Sequence, residues 1–61
     1  MPLIEQMRDL AFICMDEQQA DRLRALADDL EAAQTLGLEW LDLCPYWRAA
    51  RKAYAAAMVA A

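Results

Sequence analysis

The sequence predicts an all-α fold, a small three-helix bundle made of a helical hairpin and a C-terminal amphipathic helix. Alanine supplies fourteen of the 61 residues, whereas one glycine, two prolines and no asparagine or serine are available to form turns. The β-branched residues that strands favour are limited to two isoleucines, one valine and one threonine. This composition excludes β and α/β architectures, and the short chain predicts a single domain over residues 1–61.

The first helix is expected over about residues 2–14, with Pro2 in the first turn, where proline is tolerated. Phe12, Ile13 and Met15 lie off its apolar stripe, so that the C-terminal half of the helix is apolar nearly all round. We expect such a helix end to be covered on two sides, by two other helices or by a partner chain. The stripe itself has helical spacing and consists of Leu3, Ile4, Met7, Leu10, Ala11 and Cys14.

The second helix is expected over about residues 17–36. Asp16 is a suitable N-cap, with Gln19 at the third helical position as in a capping box, and Gly37 is placed to end the helix in a left-handed conformation. Arg24 and Asp28 are spaced for an i, i+4 ion pair. The predicted buried stripe consists of Leu23, Leu26, Ala27, Leu30 and Ala33.

The third helix is expected over about residues 45–60, after one helical turn or a tight connector at residues 38–44. Pro45 would open this helix, capped by Asp42 or Cys44, because proline is tolerated in a first turn and penalised further in. Arg48 and Lys52 occupy one side of the predicted helix, with Arg51 on the flank. The opposite side is apolar and aromatic: Trp47, Ala50, Tyr54, Ala57, Met58 and Ala61.

Energetic considerations favour a second chain. Folding would bury about 6,000 Å² of surface, because the unfolded chain exposes roughly 10,000 Å² and a compact monomer about 4,000 Å². If roughly 60% of this area is apolar, its burial gains on the order of 90 kcal/mol, against roughly 90 kcal/mol of lost conformational entropy. Because the two quantities nearly cancel, we expect the bundle to be completed by dimerisation, as a homodimer or in an obligate complex.

Several functional classes lack the residues that they need. The chain has no histidine, and Cys14 and Cys44 are thirty residues apart, so we expect no catalysis, metal or cofactor. The cysteines are expected to be buried free thiols of a protein in the reducing cytoplasm. The N-terminal segment is too charged for a signal peptide, and the longest apolar run, 53–61, is too short to span a membrane.

The charge is divided between the two parts of the chain. Residues 1–44 carry all ten acidic side chains and three arginines, whereas residues 45–61 carry Arg48, Arg51, Lys52 and no acid, and the formal net charge is −4. Basic and aromatic residues alternate in the C-terminal segment, which leaves a small dimeric nucleic-acid-binding regulator as the alternative function. The three cations of this segment neutralise few phosphates or anionic lipids, and the acidic residues 1–44 repel both. Binding to nucleic acid or to a membrane surface is therefore the weaker interpretation.

The remaining interpretation is a non-catalytic protein-binding module, a small acidic inhibitor or adaptor that occupies the surface of a cytoplasmic protein. Phage or mobile-element accessory inhibitors have this size and charge, an analogy that carries no sequence pattern. Trp47 and Tyr54 are expected to be core or dimer contacts, and Trp40, Tyr46 and Arg51 to be more exposed. The predicted apolar and aromatic partner-binding residues are Trp40, Tyr46, Trp47, Arg51, Tyr54 and Met58. Acidic side chains on the second helix are expected to steer the chain toward a basic surface: Asp21, Asp28, Asp29 and Glu31.

Overall fold

The computed structural model describes residues 3–60, and the side chains of residues 3–59. They form three helices, α1 (Leu3–Ile13), α2 (Glu17–Thr35) and α3 (Trp40–Ala60), with no strand in this part of the chain. The prediction of an all-α three-helix bundle is confirmed. Pro2 and Ala61, which the sequence places on α1 and α3, lie outside the described residues.

The helices run up, down and up, so that α1 and α3 are parallel neighbours. Leu3 lines one surface groove with Trp47, and Ile13 lines another with Met58, which places corresponding ends of α1 and α3 together. Contacts between α1 and α3 are much fewer than the contacts of either helix with α2. The shared packing partner is therefore α2, and a groove remains between the other two helices.

Most of the core is built from the predicted helical stripes, to which Ala20 and Ala53 are added. Met7, Leu23 and Leu30 are its largest fully buried side chains, and no polar or charged side chain among the described residues is buried with them. Leu26, which the sequence places in the stripe of α2, is only partly buried against this core. The other buried residues are Ile4, Leu10, Ala11, Ala20, Ala27, Ala33, Ala50, Ala53 and Ala57. The buried residues of α3 are therefore alanines, and Leu43, Trp47 and Tyr54 pack against them only partly buried.

Both predicted ends of α2 are confirmed. The Asp16 carboxylate accepts hydrogen bonds from the backbone N–H groups of Gln18 and Gln19, at 2.9 and 3.4 Å. At the other end, Gly37 has a φ of 72° and donates its N–H to the Gln34 carbonyl, while Leu38 donates to the Ala33 carbonyl. These two bonds form a Schellman motif, which satisfies carbonyls that the last helical turn leaves without partners.

The expected ion pair between Arg24 and Asp28 is wrong. Arg24 bonds to Asp21 one turn earlier, and Asp28 accepts a hydrogen bond from Arg8 of α1. Positions three and four residues apart are both neighbours on a helix surface, so Arg24 has a second carboxylate within reach. The packing of α1 against α2 decides the choice, because it brings Arg8 to Asp28.

The predicted start of α3 at Pro45 is also wrong, because the helix begins at Trp40 and contains Pro45. Its first turn is closed by the Glu39 carbonyl, which accepts the N–H groups of Asp42 and Leu43. Pro45 offers no N–H to the carbonyl four residues earlier, at Leu41, and its ring crowds that carbonyl, so the helix continues through it at a cost. Leu43 packs against the core, and this contact favours helix at residues 40–44, within the segment where the sequence predicted one helical turn or a tight connector.

Candidate functional site

Five of the predicted partner-binding residues form one line along a flank of α3. Their spacings of seven, four, three and four residues place them on the same side of a helix. The Arg51 guanidinium lies 4.7 Å from the centre of the Trp47 ring, and the Trp40 ring meets Trp47 edge to face with centroids 5.7 Å apart. We call this line the α3 stripe: Trp40, Trp47, Arg51, Tyr54 and Met58.

The α3 stripe from Trp47 to Met58 forms one wall of an open groove between α1 and α3. The groove has two parts, of about 420 and about 330 Å³, which share Gln6 and Tyr54. The first part is lined by Leu3, Gln6, Trp47, Arg51, Tyr54 and Ala55. The second part is lined by Gln6, Asp9, Leu10, Ile13, Tyr54 and Met58. The groove therefore combines apolar walls with one cation, one carboxylate and the polar atoms of Gln6 and Tyr54.

The expected burial of the aromatic residues is confirmed. Trp47 and Tyr54 are half-buried and pack against the core, whereas Trp40 is 57% exposed and Tyr46 and Arg51 are also exposed. Tyr46 is the one predicted partner-binding residue that lies off the α3 stripe, since it occupies the helix position next to Trp47. The structure thus brings five of the six residues together.

A group of exposed apolar side chains lies at the end of the bundle where α1 and α3 end. Phe12 is 90% exposed, Met15 95% and Val59 90%, and Ile13 and Met58 at the same end are more than half exposed. The sequence places Phe12, Ile13 and Met15 off the buried stripe and predicts that two other helices or a partner chain cover this helix end. The structure leaves them uncovered by the other helices in the described part of the chain. We call these five residues the apolar end.

The predicted acidic residues of α2 differ in their surroundings. Arg8 donates to the carboxylates of Asp28 at 2.8 Å and Glu31 at 3.0 Å, while Asp21 is paired with Arg24. The hydrogen bonds from Arg8 to Glu31, and then to Asp28, raise the pKa of Arg8 above its ordinary value. Asp29 is exposed and takes part in no ion pair within residues 3–60. Of the four carboxylates, Asp29 presents the least compensated charge.

The basic residues of α3 meet a cation of α2. Arg48 and Lys52 are exposed, as the sequence predicts, and Lys52 lines a groove of about 250 Å³ between α2 and α3. Arg22 and Gln19 of α2 line the same groove, together with Ala53 and Ala56, and no carboxylate contributes to this lining. The sequence analysis missed Arg22, because its proximity to Lys52 depends on how α2 and α3 pack.

Reactive and metal-binding groups are sparse in the described part of the chain. No three residues of the types His, Cys, Asp and Glu lie close enough there to hold a metal ion together. Cys14 and Cys44 are free thiols, but they are half-buried where the sequence analysis expected burial. Within residues 3–60, no helix has the length and apolar character that crossing a membrane requires.

Comparison with known proteins returned no matching family model, no matching curated protein and no matching solved structure. The surfaces of the chain are therefore interpreted from their own residues.

Proposed function

We propose that the chain is a non-catalytic protein-binding module, a small acidic inhibitor or adaptor that covers part of the surface of a cytoplasmic protein. The observation that supports this proposal is the apolar end, where Phe12, Met15 and Val59 are at least 90% exposed on a bundle whose core is otherwise well formed. Exposed groups of large apolar side chains are uncommon on monomeric proteins and mark interaction sites. The apolar end is the surface that a partner would cover.

The energetic gain from covering this surface is large for so small a protein. Burial of one exposed Phe, Met or Val side chain contributes about 1.5–3 kcal/mol. Phe12 and Met15 together would contribute about 3–6 kcal/mol, which corresponds to a change in dissociation constant of at least about 100-fold. Phenylalanine and methionine are also enriched at the centres of interfaces, and methionine adapts to irregular surfaces.

The acidic face of α2 supports a partner with a basic surface. Asp28 and Glu31 lie on the side of α2 that faces Arg8, and Asp29 adds an exposed carboxylate on the same helix. Charges of this kind raise the rate of encounter with an oppositely charged surface more than they raise affinity. The resulting mechanism is steric: carboxylates guide the encounter, and the apolar end blocks or bridges the partner.

The proposal is tested by affinity capture from the cells that produce the protein, using the tagged chain and the double substitution Phe12→Ser with Met15→Ser. We expect one protein to be captured in stoichiometric amount by the wild type, with at least about 100-fold weaker binding to the double variant. The matched control is Leu36→Ser, which removes an exposed leucine at the other end of the bundle and is expected to leave capture unchanged. Circular dichroism of each variant establishes that the helices are retained.

Two outcomes contradict the proposal. One is capture that does not differ among the wild type, the double variant and the control. The other is capture of nucleic acid in place of protein, if the substitutions Lys52→Glu and Arg22→Glu abolish that capture. That result would favour the alternative function, because these two cations line the groove between α2 and α3 without a carboxylate.

A further inference from the structure

We propose that the groove between α1 and α3 is the interface of a two-fold symmetric dimer, in which Arg51 of each copy pairs with Asp9 of the other. The groove shares Ile13 and Met58 with the apolar end on which the proposed function rests, whereas Phe12, Met15 and Val59 lie outside the groove. Its partner is a second copy of this chain.

The groove leaves apolar side chains without a packing partner. Trp47 and Tyr54 are only half-buried, and Ile13 and Met58 are more than half exposed at one end of the groove. These side chains come from two parallel helices and lie along the full length of α1. A surface of this kind, with aromatic residues at its centre, has the composition of an interface core.

The charges of the groove are self-complementary. Arg51 lies on the α3 wall in the part that contains Leu3, and Asp9 lies on the α1 wall in the part that contains Ile13. The two charges therefore occupy diagonally opposite corners. A two-fold axis that lies in the interface, at right angles to the line from Arg51 to Asp9, exchanges these corners, so that each Arg51 faces the Asp9 of the other copy. Neither side chain takes part in an ion pair within the described residues.

The residues at the middle of the groove also suit a contact with a second copy. Gln6 and Tyr54 line both parts and so mark the centre. A glutamine amide contains both a donor and an acceptor, and so does a tyrosine hydroxyl, so both can bond to polar groups of the second copy. An unrelated partner would need to supply a carboxylate, a cation and a central polar group at matching positions, all of which a second copy already carries.

Another side of α3 provides a matched control. Lys52 is exposed, lines the groove between α2 and α3, and lines neither part of the groove between α1 and α3. Reversal of charge at Lys52 changes the net charge of α3 as much as reversal at Arg51, on a surface outside the proposed interface.

The experiment is sedimentation velocity of the untagged chain from about 1 to about 500 µM, with Asp9→Arg, Arg51→Asp, their combination, and Lys52→Asp. We expect the wild type and the Lys52 variant to form dimers with the same dissociation constant. Each single substitution at the groove breaks two ion pairs per dimer and adds like-charge contacts, so we expect its dissociation constant to rise at least about tenfold. In the combined variant the charges are exchanged, and dimerisation is expected to return to within about threefold of the wild type.

Three results would overturn the inference: a wild-type monomer over the whole concentration range, a dimer that neither single substitution weakens, or weakening that the combined variant does not reverse. Circular dichroism establishes that each variant is folded. The measurement uses the chain alone and leaves Phe12 and Met15 intact, so its failure does not affect the capture experiment. Failure of capture likewise leaves the sedimentation result standing.

Discussion

Asp16 is the residue that defines where α2 begins. Its carboxylate accepts two backbone N–H groups that the first turn of a helix leaves without partners, and the preceding segment has only three residues between α1 and Glu17. A shift of this start would rotate the apolar stripe of α2 away from α1. The side chain therefore fixes both the end of the turn and the face that α2 presents.

Replacement of Asp16 by alanine is expected to lower the free energy of unfolding by about 1 kcal/mol, because two N–H groups lose their acceptor. Urea denaturation followed by circular dichroism measures the change. Asp29→Ala is the control, since this carboxylate lies on the exposed surface of α2 and is expected to change stability by less than about 0.5 kcal/mol. Equal denaturation midpoints for the two variants would contradict the assignment of the cap.

Arg51 illustrates how one side chain serves two contacts. Its guanidinium covers the face of Trp47, which in turn meets the edge of Trp40. Stacking holds the guanidinium in one place at low entropic cost, while its N–H groups remain available for a carboxylate. Lysine would supply the charge at this position without the planar group that stacks.

At the scale of helices, α2 and α3 are joined through small residues. Ala50, Ala53 and Ala57 of α3 are buried, and three alanines of α2 are buried as well. Small side chains permit a close approach of two helices, and the resulting contact tolerates little added volume. The many alanines of α3 also favour helix formation, which offsets part of the cost of Pro45 within the helix.

Replacement of Ala53 by leucine is expected to lower the free energy of unfolding by about 1–3 kcal/mol, because the added carbons do not fit between α2 and α3. The control is Ala56→Leu, which makes the same change of side-chain volume and helix propensity at an exposed position of the same helix. We expect the control to remain within about 0.5 kcal/mol of the wild type in urea denaturation. A larger loss of stability in the Ala56 variant than in the Ala53 variant would contradict the burial of Ala53 between α2 and α3.

At the scale of the whole molecule, surface charge is distributed unevenly over the bundle. Within the described residues, the basic side chains of α3 form no ion pair with the carboxylates of α1 and α2, which Arg8 and Arg24 only partly neutralise. The chain carries a net charge of −4 on a surface of 4457 Å². The resulting electrostatic field acts mainly on the rate at which a charged partner associates. The acidic surface should favour encounters with basic partners.

Replacement of Asp29 by lysine is expected to slow association with the captured partner several-fold and to reduce the dependence of this rate on salt. Asp29 is preferred to Asp28 because Asp28 also binds Arg8 and helps to join α1 to α2. Glu39→Lys, the same change of charge before α3, is the control and should affect the rate less. Stopped-flow association rates at about 50 and about 300 mM salt provide the measurement; unchanged rates would refute steering by this face.

The sequence by itself determined the features that depend on neighbouring residues. Helix propensity, the carboxylate of Asp16 and the flexibility of Gly37 act within a few residues, so the number of helices and both ends of α2 were predictable. The spacing of apolar residues likewise identified most of the core. The start of α3 was not predictable from Pro45, because burial of Leu43 outweighs the local preference for a break.

Only the tertiary structure decided which distant residues meet. The pairing of Arg8 with Asp28 and Glu31, the approach of Arg22 to Lys52, and the diagonal placement of Asp9 and Arg51 all depend on the relative position of whole helices. That position is set by the summed packing of many side chains rather than by any local pattern. The apolar end follows from the same cause, because packing α1 against α2 and α3 left Phe12 and Met15 with nothing to cover them in the described part of the chain.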